Sequence, residues 1–138
     1  MSLDTGRYII QNVRTSGSLF LPDPNDGSSI VGTAEESSNG RKWNVVRLGN
    51  GKYTFENQTH ASYANVGPRP SVGTEVVGRS HKQQFDIQET RKKDQYTISP
   101  TDVQLVWGLP DDQEGTPVAL AESYTDPRNQ WQFTRVRD

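Results

Sequence analysis

The chain contains no cysteine, so its fold does without disulfides and tolerates a reducing compartment. No apolar run approaches a signal core or a membrane span, which makes the cytosol the expected compartment and excludes a membrane partner. Hydrophobic residues are scarce, at 30%, and nowhere do they follow a sustained helical period. Charge of one sign is lacking too: the formal net charge is −2 over 138 residues, which argues against nucleic acid as a partner. The one basic run, Arg91-Lys92-Lys93, falls between strand-like segments and is expected to be a solvated turn. Twelve glycines and eight prolines suit short strands with many loops, and three tryptophans are too many for a disordered chain.

What fills the chain is a repeat. Gly6-Arg7-Tyr8-Ile9-Ile10, Gly51-Lys52-Tyr53-Thr54-Phe55 and Asp94-Gln95-Tyr96-Thr97-Ile98 each set a tyrosine in a short alternating strand. Some twenty residues on come Asp26-Gly27-Ser28, Val72-Gly73-Thr74 and Glu114-Gly115-Thr116. Each unit closes on an aromatic, Trp43, Phe85 or Trp131, spaced by 42 and 46 residues, while the glycines at 27, 73 and 115 are spaced by 46 and 42. Three such units, at about 6–48, 51–90 and 94–136, span a single domain over 1–138. Period-two patterning and turn residues predict four strands in each unit. The third strands are expected at Ser28–Thr33, Glu75–Gly78 and Pro117–Ala121, and the second at Ser18–Leu21, Ser62–Asn65 and Val103–Trp107. Twelve short strands in three four-strand repeats make an all-β chain with pseudo-three-fold symmetry, a β-trefoil, whose barrel floor is filled by Trp43, Phe85 and Trp131.

Catalytic chemistry has little to work with. His60 and His81 lie in loops without carboxylates at metal-ligand spacing, no phosphate-binding glycine loop is present, and no nucleophile motif supports a Ser-His-Asp site. A non-enzyme with no cofactor and no metal is expected. Asn57-Gln58-Thr59 matches a glycosylation acceptor, but without a secretory route the match is read as chance.

The opening Met1-Ser2-Leu3-Asp4-Thr5-Gly6-Arg7-Tyr8 through Asn12-Val13 and the close Trp131-Gln132-Phe133-Thr134-Arg135 carry a resemblance that runs over the whole chain. The chain resembles the mushroom β-trefoil serine protease inhibitors of the cospin and cnispin type. It is more distantly similar to the mycocypins, which are cysteine protease inhibitors, and to ricin-B-like fungal lectins. Such lectins imply an aspartate near the second strand of each unit, an aromatic in the third that stacks on a hexose, and a closing Gln-x-Trp. Asn129-Gln130-Trp131 is similar to that close, whereas Arg41-Lys42-Trp43 and Gln83-Gln84-Phe85 have drifted. Thr33-Ala34, Arg79-Ser80 and Ala121-Glu122 stand where the stacking aromatics belong, leaving Tyr124 and Trp107 to compensate.

For the inhibitors, the resemblance implies that a stiff exposed loop enters a protease cleft and that the loops between strands 2 and 3 and between strands 11 and 12 are so used. The first is Pro22-Asp23-Pro24-Asn25-Asp26-Gly27, stiffened by two prolines and offering Asn25 where a trypsin inhibitor would carry a cation. Asn25 suits either an asparagine-specific protease or a plain turn. The second contains Pro127-Arg128-Asn129, and Arg128 suits the acidic pocket of a trypsin-like serine protease or is an ordinary surface arginine. Arg69, between Pro68 and Pro70, is weaker because a following proline is poorly cleaved or bound at a trypsin site, and Arg79-Ser80 lacks a stiffening proline. Two functions stand side by side: fungal defence by protease inhibition, with glycan binding as the alternative.

Overall fold

The computed structural model describes residues 3–37 and 39–136; Met1 and Ser2 of the opening motif lie outside them. The strands are β1 (Gly6–Asn12), β2 (Ser18–Phe20), β3 (Val31–Thr33), β4 (Lys42–Arg47), β5 (Tyr53–Asn57), β6 (Tyr63–Asn65), β7 (Val77–Arg79), β8 (Phe85–Glu89), β9 (Gln95–Pro100), β10 (Val106–Gly108), β11 (Ala119–Ala121) and β12 (Trp131–Arg135). A three-residue 3-10 turn, Pro127–Asn129, precedes β12. Six strands close a barrel: β1 pairs with β4, β4 with β5, β5 with β8, β8 with β9, β9 with β12, and β12 with β1, each antiparallel. The hairpins β2–β3, β6–β7 and β10–β11 form the remaining half of each repeat. This is a β-trefoil of twelve strands. Closure removes the edges that an open sheet of such polar strands would expose.

The third strand of each repeat is shorter than its sequence pattern. Ser28–Ile30, Glu75–Val76 and Pro117–Val118 turn from their hairpin partners toward the three-fold axis. There Ile30 N donates to Val76 O, Val76 N to Val118 O, and Val118 N to Ile30 O, all at 2.9 Å. Around this triangle Gly32 N reaches Thr116 O, Gly78 N reaches Ser28 O, and Leu120 N reaches Thr74 O, at 2.8 to 3.0 Å. The three apolar side chains of the triangle are 0% exposed. Alternation thus continues through these residues, but their ladder partners belong to another repeat.

Trp43, Phe85 and Trp131 are buried at equivalent places, as the repeat requires. Both indoles also donate at 3.0 Å, Trp43 Nε1 to Leu19 O and Trp131 Nε1 to Trp107 O. The second donation matters because Leu120, which faces Trp107 across the hairpin, spends its own N–H and C=O on Thr74 and Gly73. Trp107 itself sits fully buried with its ring centroid 4.9 Å from Phe55 and 5.0 Å from Phe85. Asn57 is likewise 0% exposed: its amide donates to Gly40 O at 2.8 Å and its Oδ1 accepts from Thr59 N and His60 N, so the acceptor motif is a structural turn.

Phe85 already fills the equivalent place without an N–H, so Trp131→Phe should fold. It should lose roughly 1–3 kcal/mol in a denaturant melt, because the buried Trp107 carbonyl is left without its donor. A loss near zero would refute a contribution from this hydrogen bond.

Candidate functional site

The pseudo-symmetry brings three loops to the same end of the molecule: β2–β3, β6–β7 and β10–β11. Each turns on a left-handed glycine, Gly27, Gly73 or Gly115, with φ of 89, 87 and 85°, where a side chain would be strained. Their N–H groups donate across the axis, to Gly78 O, Leu120 O and Gly32 O respectively. In each turn a closing bond returns to the residue two before the glycine: Ser28 N to Asn25 O, Thr74 N to Ser71 O, Thr116 N to Gln113 O.

Two of the loops are braced by an aspartate. Asp23 Oδ1 accepts from Asn25 N at 2.9 Å and from Ser28 Oγ at 2.5 Å. Asp111 Oδ1 accepts from Gln113 N at 3.0 Å and from Thr116 Oγ1 at 2.5 Å. A second acid ties each of these loops to the next strand end. Asp26 takes Arg79 Nη1 at 3.0 Å and Ser80 N at 3.3 Å, and Glu114 takes Ala34 N at 3.0 Å. Hydrogen bonds from the hydroxyls of Ser28, Thr116 and Thr33, and then from backbone N–H groups, hold the Asp23, Asp111 and Glu114 carboxyls below the ordinary range. The proline-rich segment 22–27 is therefore ordered, with Pro22, Pro24, Asn25 and Asp26 exposed. Asn25 lies against Asp23, whose Oδ1 accepts its backbone N–H.

The loop expected to present Arg128 in extended form does not. Pro127-Arg128-Asn129 is the 3-10 turn, capped by Asp126, whose Oδ1 accepts Arg128 N at 2.9 Å. The same carboxylate grips the guanidinium, Nη2 to Oδ2 at 2.8 Å with Nε at 3.2 Å from both oxygens. This lowers the Asp126 pKa and raises that of Arg128. The Arg128 carbonyl, which a substrate-like loop would hand to the protease, accepts Leu109 N at 2.9 Å and the buried Asn12 amide at 2.8 Å. Gly40 O does the same for Leu21 N and the Asn57 amide, so this carbonyl is part of the scaffold. Asn129 is 7% exposed, its amide held by Ser123 O.

Pro127-Arg128-Asn129 is a good local pattern for such a loop, and the tertiary bonds of the Arg128 carbonyl leave no local signal. Arg79 is exposed but paired with Asp26, an exposed ion pair of the kind worth about 0–1 kcal/mol. The sites expected for stacking aromatics hold a buried Thr33 at the end of β3, Arg79 at the end of β7 and a half-buried Ala121 at the end of β11. Trp107, buried in the core, has no face left for a sugar. Tyr124 is half-buried and lines two open clefts of about 610 and 670 Å³, shared with Gln88. Among the described residues no group of three or more His, Asp or Glu is placed to hold a metal.

A profile of the peptidase inhibitor I66 family matches residues 1–136. The chain belongs to that family. It is a peptidase inhibitor by kinship, and not an enzyme. Its fold is similar to that of the Rhizoctonia solani agglutinin, 23% identical over 99% of both chains with a TM-score of 0.90. It is also similar to the Macrolepiota procera ricin B-like lectin, solved in complex with lactose, at 20% identity over 99% of both chains and a TM-score of 0.87. The designed three-fold symmetric protein ThreeFoil, 16% identical over 95% of this chain and 99% of its own, gives a TM-score of 0.87. At these identities the likeness is one of fold.

The aspartate braces give a pH signature. A carboxyl whose folded pKa is lowered stabilises its loop above the unfolded value near 3.9, and the contribution is lost as the pH falls through the folded value. In an NMR titration from about pH 5 downward, the amides of Asn25 and Gln113 should shift with midpoints below that ordinary value. The Ser71 amide, which donates to the Thr74 hydroxyl at 3.0 Å, should stay flat. Equal acid sensitivity in all three loops would refute the assignment.

Proposed function

We propose that this inhibitor blocks a trypsin-like serine peptidase by offering a loop cation to the acidic specificity pocket, with its main chain ordered in advance. The observation that carries the reading is the set of three ordered, exposed loops seated on one hydrogen-bonded base. A loop ordered before binding gives up little further entropy on entering a cleft, which is the main cost an inhibitory segment must avoid. Membership of the peptidase inhibitor I66 family supports a peptidase as the partner.

Arg128 is the less supported choice for that cation, because its carbonyl is bonded into the scaffold and its guanidinium is already gripped by Asp126. A second reading has a specific observation of its own: Asn25 is exposed on the ordered β2–β3 loop, which favours an asparagine-specific peptidase. Glycan binding finds less support, since the stacking positions carry no aromatic and Trp107 is buried.

Inhibition assays against trypsin and an asparagine-specific peptidase, with lactose binding measured on the same sample, test these readings. Inhibition of trypsin at micromolar protein or below is expected. Arg128→Ala should keep it within about threefold, less than 1 kcal/mol, and Asn25→Ala should affect only the asparagine-specific enzyme. No inhibition of trypsin, with lactose bound instead, would overturn the proposal. A thirtyfold or greater loss in Arg128→Ala, more than about 2 kcal/mol, would return the contact to the β11–β12 loop.

A further inference from the structure

The β6–β7 loop departs from its two sister loops at both positions where they carry an acid. Counting back from the three turn glycines, Arg69 stands where the others carry the bracing Asp23 and Asp111, and Val72 stands where they carry the cross-tying Asp26 and Glu114. The brace is replaced from within the turn, by Ser71 N on the Thr74 hydroxyl. The loop is also one residue longer. Between the buried end of the second strand (Leu21, Val66 or Leu109) and the turn glycine lie residues 22–26, 67–72 and 110–114. The additional residue is Gly67, at φ 81°, and it is clamped from behind: the Gln83 amide donates to Gly67 O at 2.8 Å while its oxygen accepts Val66 N at 2.6 Å.

Between this clamp and the brace at Ser71 lie three residues without ties of their own. Among the described residues Pro68, Arg69 and Pro70 make no hydrogen bond and Arg69 enters no ion pair. The Arg69 side chain is exposed, and Val72, three residues on in the same loop, is 57% exposed, the larger of the two values among exposed large apolar side chains. Prolines on both sides restrict the backbone of the arginine, so a main chain free of bonds is nonetheless stiff. Two sister loops thus spend acids on holding their own shape, while this one is anchored at its ends and turns a cation and an apolar side chain to solvent.

From this we infer that the β6–β7 loop is the docking site for a peptidase with an acid-floored specificity pocket, with Arg69 as the residue that fills the pocket and Val72 adding apolar contact at its rim. The inference rests on the reading of the chain as an inhibitor of a trypsin-like enzyme and names the loop through which it acts. Pro70, which counts against Arg69 as a substrate site, fits an inhibitor: a peptide bond to proline is a poor bond for a trypsin-like enzyme to cut, so an arginine seated in the pocket is not turned over. A desolvated arginine in such a pocket is the kind of contact that dominates an interface.

Trypsin inhibition should be titrated with the parent chain and with Arg69→Ala, Arg69→Lys and Pro70→Ala, each checked for an unchanged melting temperature. Arg69→Ala should inhibit at least about thirtyfold less well, the size of a moderate hot spot. It should melt with the parent, since the side chain is exposed. Arg69→Lys should stay within about tenfold, because a lysine still delivers the charge without the planar fork. Pro70→Ala should be cut between residues 69 and 70, seen as two fragments by mass spectrometry, while the parent stays intact. If the parent inhibits and Arg69→Ala inhibits equally well, the loop assignment is wrong and the function stands. If the parent does not inhibit trypsin at all, both fall.

Discussion

The closed triangle of hydrogen bonds among Ile30, Val76 and Val118 is the constraint on which the rest of this molecule depends. Each of these residues belongs to a different repeat, and each donates to the next, so no repeat can complete its own backbone pairing alone. The three side chains are fully buried, which places these polar groups where an unmade bond would be costly. The surrounding set from Gly32, Gly78 and Leu120, and the outer set from the three turn glycines, extend the same logic outward. Stability is therefore shared among the repeats, and the loops above the axis inherit a rigid base.

A rigid base frees the loops to differ. Where Asp23 and Asp111 brace their turns, the hydroxyl of Thr74 does the equivalent work in the middle repeat, and the position they occupy passes to Arg69. The exchange costs the scaffold little because the turn glycine, the closing bond and the ring of bonds below are all retained. Three-fold repetition supplies the comparison that makes such a substitution visible: two copies show what the position does structurally, and the third shows what it does when released from that duty. The same comparison works in reverse at Arg128. Its carbonyl matches that of Gly40, accepting one strand N–H and one buried asparagine amide, and so belongs to the frame.

The family settles the broad class and the fold neighbours do not alter it. The agglutinin and the lactose-bound lectin are similar to this chain in backbone over nearly its whole length, yet function in a β-trefoil lives in its loops and hairpin ends. At those ends this chain carries threonine, arginine and alanine where a sugar needs an aromatic face, and the one tryptophan near them is committed to the core.

The repeat spacing, the alternating strands and the three closing aromatics determined the fold from sequence, because the spacing of buried side chains is a property written along the chain itself. The proline-bounded loops were legible for the same reason, since proline restricts the backbone wherever it stands. Only the tertiary structure decided that Ser28–Ile30 and its counterparts pair across the axis, that Trp107 is core, and that Arg128 is held in a 3-10 turn while Arg69 is left bare. The first three hang on hydrogen bonds or contacts to residues from distant parts of the chain, Asn12 with Arg128 being 116 residues apart, and the last on the want of one; no local pattern encodes a partner that far away.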